Sequence, residues 1–287
     1  MTSSFPRKTD SLEKGQDNML YLHPKIWNPM GSVVTEEYEK NGKKNRFQDS
    51  YRQKYRIPGH LPGWIRKVQD KYMTDTFIFD FDGTLADTTE VVIRSMKLAM
   101  ARLGIMGVSD EQLRSGIGLC MEDYAKVCGN LPDDKVEEAV RTYKEIYHNL
   151  PESEKRIQLF EGVAETLSML KDKGMKLAIA TSRGKNSLEE ILSSHGISEL
   201  FDTKITAYDG FKPKPAPDMV LEILERLGSS PENSIMVGDT TFDLDMGKSA
   251  GCLTCGVTYG NHDREKLAGC NPDRIIDSFK EILSFVK

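Results

Sequence analysis

Six short apolar runs, separated by helical patterns, constrain this chain more than any other feature of its sequence. They are TFIFDF (76–81), KLAIATS (176–182), KITA (204–207), SIMVGD (234–239), LTCGVT (253–258) and RII (274–276). Several are almost continuously apolar, the mark of strands buried on both faces. Helical patterns lie between them. VAETLSMLKDKG closes on Gly174 and NSLEEILSSHG on Gly196, glycines placed as helix C-caps. DMVLEILERLG, TFDLDMGKSAG and a terminal SFKEILSFV follow. Repeated strand–helix units predict an α/β fold with a doubly wound parallel sheet, and right-handed crossovers place helices on both faces.

Residues 88–160 break this rhythm and read as helices only: TTEVVIRSMKLAMARLG, a segment near 120–129, and DDKVEEAVRTYKEIYHNL. The pattern predicts a small all-helical cap domain over 88–160, inserted after the first strand of a core formed by 73–87 and 161–287. Hinges are then expected at Leu85 to Thr88 and Leu159 to Gly162.

Residues 1–72 show no sustained helical or strand period. They hold 14 Lys and Arg against 8 Asp and Glu, while the rest of the chain holds 25 against 36. That asymmetry marks a boundary near residue 72. Too little apolar surface is grouped there to offset the entropy of ordering, which predicts a poorly ordered basic extension. Its scattered aromatics admit a nucleic-acid contact by this arm alone. Met73 also stands just before the first strand as a second possible start of translation; intact mass from the native host decides this, because the shorter form lacks both Trp27 and Trp64.

Hydrophobic residues make up 38% and charged residues 29% of the chain, as in a globular protein. No run approaches the roughly 18 apolar residues of a membrane helix, and no hydrophobic leader is seen, so the chain reads as cytoplasmic. Five cysteines, an odd count, fit a reducing compartment. Cys252 and Cys255 have redox or zinc spacing but lie in a strand-like run, and read as buried thiols.

In an open α/β sheet, ligands sit at the C-terminal ends of strands. Four such ends carry polar residues. The first is Asp80-Phe81-Asp82-Gly83-Thr84. Side chains at i and i+2 of a strand share a face, so two carboxylates crowd together. A hard cation such as Mg²⁺ would offset their repulsion. Gly83 permits a tight turn and close approach of a ligand. The second is Thr181-Ser182, whose hydroxyls can hold a phosphate oxygen or simply cap a helix. In the third, Phe211-Lys212-Pro213-Lys214-Pro215-Ala216-Pro217-Asp218, prolines restrict the backbone around a lysine. The fourth is Gly238-Asp239-Thr240-Thr241-Phe242-Asp243, where one helical turn brings Asp239 and Asp243 to the same side.

In order and spacing, DFDGT, ATS, KPAPD and GDTTFD resemble the four motifs of the haloacid dehalogenase superfamily of phosphohydrolases. The resemblance covers about three-quarters of the chain, from 73 to 287, and the helical insert resembles that family's C1-type cap. It implies that Asp80 is the nucleophile and Asp82 the general acid/base. Thr181 and Ser182 then bind phosphate, Lys214 is the motif lysine, and Asp80, Asp82 (through its backbone carbonyl) and Asp239 hold Mg²⁺. Gly83, Thr84 and Asp243 support them, and Gly116 and Gly118 belong to a cap loop. KPKP permits Lys212 or Lys214 as the motif lysine, and KPAPD fits the family best from Lys214. SGIGL (115–119) and VTYGNHD (257–263) resemble segments of the phosphoglycolate phosphatase and pyrophosphatase branches.

The implied activity is Mg²⁺-dependent hydrolysis of a small phosphorylated metabolite through an aspartyl phosphate, phosphoglycolate being the first choice. Inorganic pyrophosphate is the second. A β-phosphoglucomutase-like reaction is third, because those members usually carry Glu-Asp where this chain has Gly-Asp. A dehalogenase needs no second acid at Asp82. A phosphonatase needs a Schiff-base lysine in the cap; Lys97 and Lys126 are candidates, but nothing distinguishes them from surface lysines. A non-catalytic binding module is the remaining alternative, and oligomeric state is not encoded in these motifs.

Overall fold

The structure is a computed structural model that describes residues 74–151 and 153–286. The expectations for residues 1–72 lie outside the described residues. The elements are β1 Thr76–Phe79, β2 Ala86–Asp87, α1 Thr89–Arg102, α2 Asp110–Ser115, α3 Met121–Gly129, α4 Asp133–Asn149, β3 Gln158–Leu159, α5 Val163–Asp172, β4 Lys176–Ala180, α6 Lys185–Ser194, β5 Thr203–Ile205, α7 Asp218–Leu227, β6 Ser234–Gly238, α8 Thr241–Ser249, β7 Leu253–Val257, α9 Arg264–Gly269 and β8 Arg274–Ile276. The terminal SFKEILSFV is a 3₁₀ rather than an α-helix, over Phe279–Phe285.

Every one of the six apolar runs forms a strand, and together they make one sheet in the order β5-β4-β1-β6-β7-β8. All of its pairings are parallel. The period of two divides each strand between two cores. Phe77 and Phe79 join Leu177, Ile179, Ile235 and Val237 on one face, with Leu167 and Leu170 of α5 and Leu188 and Leu192 of α6. Ile78 joins Ala178, Ala180 and Met236 on the other face, against Met219, Val220 and Ile223 of α7 and Met246 of α8. Parallel strands buried this way must be apolar throughout, so the polar groups concentrate just beyond the strand ends.

Three helices fall on the expected stretches of the insert, and α2 adds a short fourth, started by a capping box between Ser109 and Gln112. One expectation needs correction: 88–160 is not purely helical. Gln158–Leu159 pairs antiparallel with Ala86–Asp87, as Ala86↔Leu159 and Asp87↔Gln158. Phe160 N–H also donates to Leu85 O at 3.0 Å. The two connections expected as hinges are thus joined in a small ribbon at the base of the insert. No helix among the described residues is long and apolar enough to cross a membrane.

Cys252 and Cys255 are both buried, and neither is in a disulfide. Burial pushes each thiol up to about 12, the range of an inert core cysteine rather than a redox or metal-binding one.

Candidate active site

Adjacent strands β4, β1 and β6 end side by side, which brings Thr181, Asp80 and Asp239 to one crevice at the centre of the sheet. The sheet ladder runs on one residue past β1: Asp80 N–H donates to Val237 O at 2.9 Å. That bond fixes the Asp80 backbone, and the residue is 1% exposed.

Lys214 reaches this point from the loop between β5 and α7. Its ammonium donates to Asp80 Oδ1 at 2.5 Å and to Asp243 Oδ1 at 2.7 Å. It is buried, whereas Lys212 is exposed, so Lys214 alone of the two meets the carboxylates. Burial pulls the Lys214 ammonium down, but Asp243 and Asp80 outweigh it and hold it above the ordinary lysine value. Asp243 sits in the first turn of α8, where its Oδ2 accepts from Thr240 N–H at 3.0 Å and Thr240 Oγ1 at 2.7 Å. It therefore caps the helix and anchors the lysine at once.

Asp239 is held differently. Its Oδ1 accepts from Thr84 Oγ1 at 2.8 Å. Its Oδ2 accepts from Asn261 N–H at 2.8 Å and Asn261 Nδ2 at 2.9 Å. All these donors are neutral. Burial, with the charge of Asp243, lifts Asp239 to about 7 against those hydrogen bonds. Burial likewise raises Asp80 well above the carboxylate range; Lys214 opposes the rise, while Asp243, Asp239 and Asp82 add to it.

Asp80, Asp239 and Asp243 each offer an oxygen within 4.8 Å of the others. Asp80 Oδ2 is buried and has no hydrogen-bond partner. Bare carboxylate oxygen at Asp80 and uncompensated charge at Asp239 fit a hard divalent cation such as Mg²⁺. Asp243 is already matched by Lys214. Gly83 fits the same picture. Its φ is +87°, and a Cβ there would collide with the Asp239 carboxylate and the Asn261 amide. Gly83→Ala is expected to cost about 2 kcal/mol in urea unfolding through backbone strain and displaced Asp239.

Asp82 corrects the strand-face expectation. β1 ends at Phe79, and Asp82 lies in the turn beyond, in an isolated bridge with Ala86. Its carboxylate is not compensated together with that of Asp80; it has its own cation. Arg183 Nε donates to both Asp82 oxygens at 3.1 Å, and Nη2 donates to Oδ1 at 2.5 Å. Both aspartates still line one cavity of about 1010 Å³ beneath the insert.

Thr181 is fully buried, and its Oγ1 accepts from Arg183 N–H at 3.1 Å, leaving the hydroxyl hydrogen available. Ser182 instead donates to Gly118 O of the insert at 2.7 Å. Gly118 has φ +104° and packs against Thr240, so its loop lies over the start of α8. Gly116 faces Tyr124 and Cys128 inside the insert rather than the cavity.

Sequence reasoning missed four residues here. Arg183 and Tyr147 lie on the cavity wall, and Asn261 holds Asp239. His262 Nδ1 accepts from Thr241 N–H at 3.1 Å, which leaves Nε2 to donate to Ser115 O of the insert at 3.3 Å. Burial keeps this imidazole below its ordinary value, consistent with that neutral tautomer. The available signal for Arg183 was its place directly after Thr181-Ser182 at a strand end. For Asn261 and His262 it was the segment VTYGNHD.

The family model for haloacid dehalogenase-like hydrolases matches residues 77–257, which include Asp80, Asp82, Thr181, Lys214, Asp239 and Asp243. Over 215 residues the chain is 36% identical to "Probable phosphatase IndB" of Dickeya dadantii, covering 74% of this chain and 93% of that protein. It is 32% identical over 212 residues to pyrophosphatase PpaX of Halalkalibacterium halodurans, covering 74% and 96%. Among solved structures, a predicted phosphoglycolate phosphatase from Haemophilus somnus superposes with a TM-score of 0.65 at 28% identity, covering 73% of this chain and 96% of that one. With its sheet order, its strand-end carboxylates and this match in agreement, the chain belongs to the haloacid dehalogenase-like hydrolase family, as a phosphatase.

Proposed function

We propose that the protein is a Mg²⁺-dependent phosphatase that hydrolyses a small phosphorylated metabolite through an aspartyl phosphate at Asp80. The observation that carries this is the Asp80 carboxylate: Lys214 holds one oxygen, and the other has no partner at the floor of the cavity. A carboxylate held this way is oriented for attack.

In the first half-reaction an oxygen of the Asp80 carboxylate bonds to phosphorus, the bond to the leaving oxygen breaks, and Asp82 gives that oxygen a proton. In the second, Asp82 takes a proton from water as the water oxygen bonds to phosphorus. The bond to Asp80 then breaks, and inorganic phosphate leaves. Lys214 and the freed hydroxyl of Thr181 face the transferring oxygens, where fixed positive charge and donors lower the barrier. A Mg²⁺ held by Asp80 and Asp239 would supply further positive charge against those oxygens. Residues 88–160 act as a cap in this reading, and closure over the cavity excludes water.

Phosphoglycolate is the first choice of substrate and pyrophosphate the second. Both carry a further anionic group, which the cationic Lys144 and Arg156 on the cavity wall suit. The pyrophosphatase name of a relative supports the second. Phosphate release on phosphoglycolate, pyrophosphate, β-glucose-1-phosphate and an aryl phosphate, in Mg²⁺ and in EDTA, tests the proposal. We expect release in Mg²⁺ only, at least about 100-fold faster on one of the first two than on the sugar phosphate. Release unaffected by EDTA would refute the metal dependence. No release from any substrate by folded protein in Mg²⁺ would refute phosphatase action on this class.

A further inference from the structure

We infer that Arg183 is a positioning residue that sets the plane of the Asp82 carboxylate and, through Tyr147, ties that plane to the helical insert. The inference rests on the phosphatase reading above and concerns how its acid/base is aimed.

Arg183 is 8% exposed in its side chain and Asp82 is 16% exposed. The guanidinium engages both carboxylate oxygens through Nε and Nη2, a forked contact that fixes the plane of a carboxylate as a single ammonium cannot. Its Nη1 donates to Tyr147 Oη at 3.1 Å and to Ser187 Oγ at 2.7 Å. Ser187 lies on α6 of the core and Tyr147 on α4 of the insert. The Tyr147 ring is itself stacked on Tyr143, with centroids 6.0 Å apart. Phe81 and Tyr147 present their rings to the guanidinium at 5.7 and 5.8 Å.

One Nη2 hydrogen is all that these contacts leave, so Arg183 offers no free fork to a substrate phosphate. Its partners lie on three elements that meet only in the fold: the turn after β1, α6 and α4. A shift of α4 must move Tyr147, and with it the guanidinium that orients Asp82. Asp82 would otherwise swing about its own side-chain torsions.

The consequence is a dependence on leaving group. General acid catalysis contributes most when the departing oxygen is a strong base, as in an alkyl phosphate, and least for a nitrophenyl phosphate. The ratio of kcat/KM values for the two esters reports steps up to departure of the leaving group, so it isolates the acid role of Asp82 from the later attack by water.

The test measures kcat/KM for wild type, Arg183→Gln, Arg183→Lys and Tyr147→Phe on phosphoglycolate and 4-nitrophenyl phosphate in Mg²⁺. Urea unfolding checks that each variant is folded. For Arg183→Gln the ratio of alkyl to aryl values should fall by about 10- to 100-fold. Arg183→Lys should fall less, and Tyr147→Phe by a few-fold in the same direction. Equal losses on both esters would overturn the inference, since loss of binding or of structure lowers both alike. If Arg183→Gln does not fold, an unchanged ratio in the other two variants overturns it. Wild type inactive on both esters would instead refute the phosphoglycolate assignment, and this inference with it; inactivity on pyrophosphate as well would refute the phosphatase reading.

Discussion

Asp80→Asn is expected to lower phosphate release by about 10⁴-fold or more while leaving the fold intact. The asparagine carbonyl keeps an acceptor where Lys214 now donates to Asp80 Oδ1. The amide nitrogen takes the place of Oδ2, which has no partner, in the residue that clusters with Asp239 and Asp243. Size and hydrogen bonding are therefore kept, and nucleophilicity is lost. Stability should hold as well. Burial and the neighbouring carboxylates Asp243, Asp239 and Asp82 oppose the Asp80 charge while Lys214 favours it, so a neutral isostere relieves crowding among the carboxylates and leaves Lys214 paired with Asp243. The expected urea midpoint is equal to or above that of wild type. A folded Asp80→Asn protein retaining a tenth of wild-type turnover would exclude Asp80 as nucleophile. The control guards against a trivial failure: an unfolded variant shows itself in the urea curve, not in the assay.

The sheet was legible because its strands are buried on both faces, and such strands must be almost wholly apolar. Their ends were less legible. Asp80, Thr181 and Asp239 each lie one residue past the last paired residue of a strand. The expected runs carried them inside, and the argument that Asp80 and Asp82 share a strand face failed for that reason. The β2–β3 ribbon could not be read, since two residues a side carry no period. Helix α2 did leave a trace: Ser109-Asp110-Glu111-Gln112 is a capping box that precedes too short an apolar pattern to register. In the site, Asp80, Lys214, Asp239 and Asp243 carry local signals, a charge at a strand end or a lysine between prolines. Arg183 and Asn261 carry only their place after Thr181-Ser182 and within VTYGNHD, which does not name their partners. Their roles depend on partners 101 and 22 residues away, pairings that only the folded sheet makes.

Lys214→Met should destabilise the protein by about 3–5 kcal/mol when no divalent cation is present, and abolish turnover as well. Asp80, Asp239 and Asp243 are 1%, 0% and 0% exposed, and their oxygens lie within 4.8 Å of one another. Among the described residues, Lys214 is the cation that touches two of them. Methionine keeps much of the stem's volume, so the loss reports charge rather than a cavity. A second substitution separates the terms. Asp243→Asn in the Lys214→Met background removes one of the stranded charges and should recover part of the loss, a coupling that a double-mutant cycle measures. Added Mg²⁺ gives an independent readout. A cation that binds the folded cluster stabilises it by mass action, and should raise the urea midpoint of Lys214→Met over its value in EDTA. A loss below about 1 kcal/mol in EDTA would mean that the three carboxylates are not held charged around the lysine, because uncompensated buried charge at this spacing costs more than that. A Mg²⁺ effect absent from both wild type and the variant would exclude this cluster as the metal site, whatever the activity assays report.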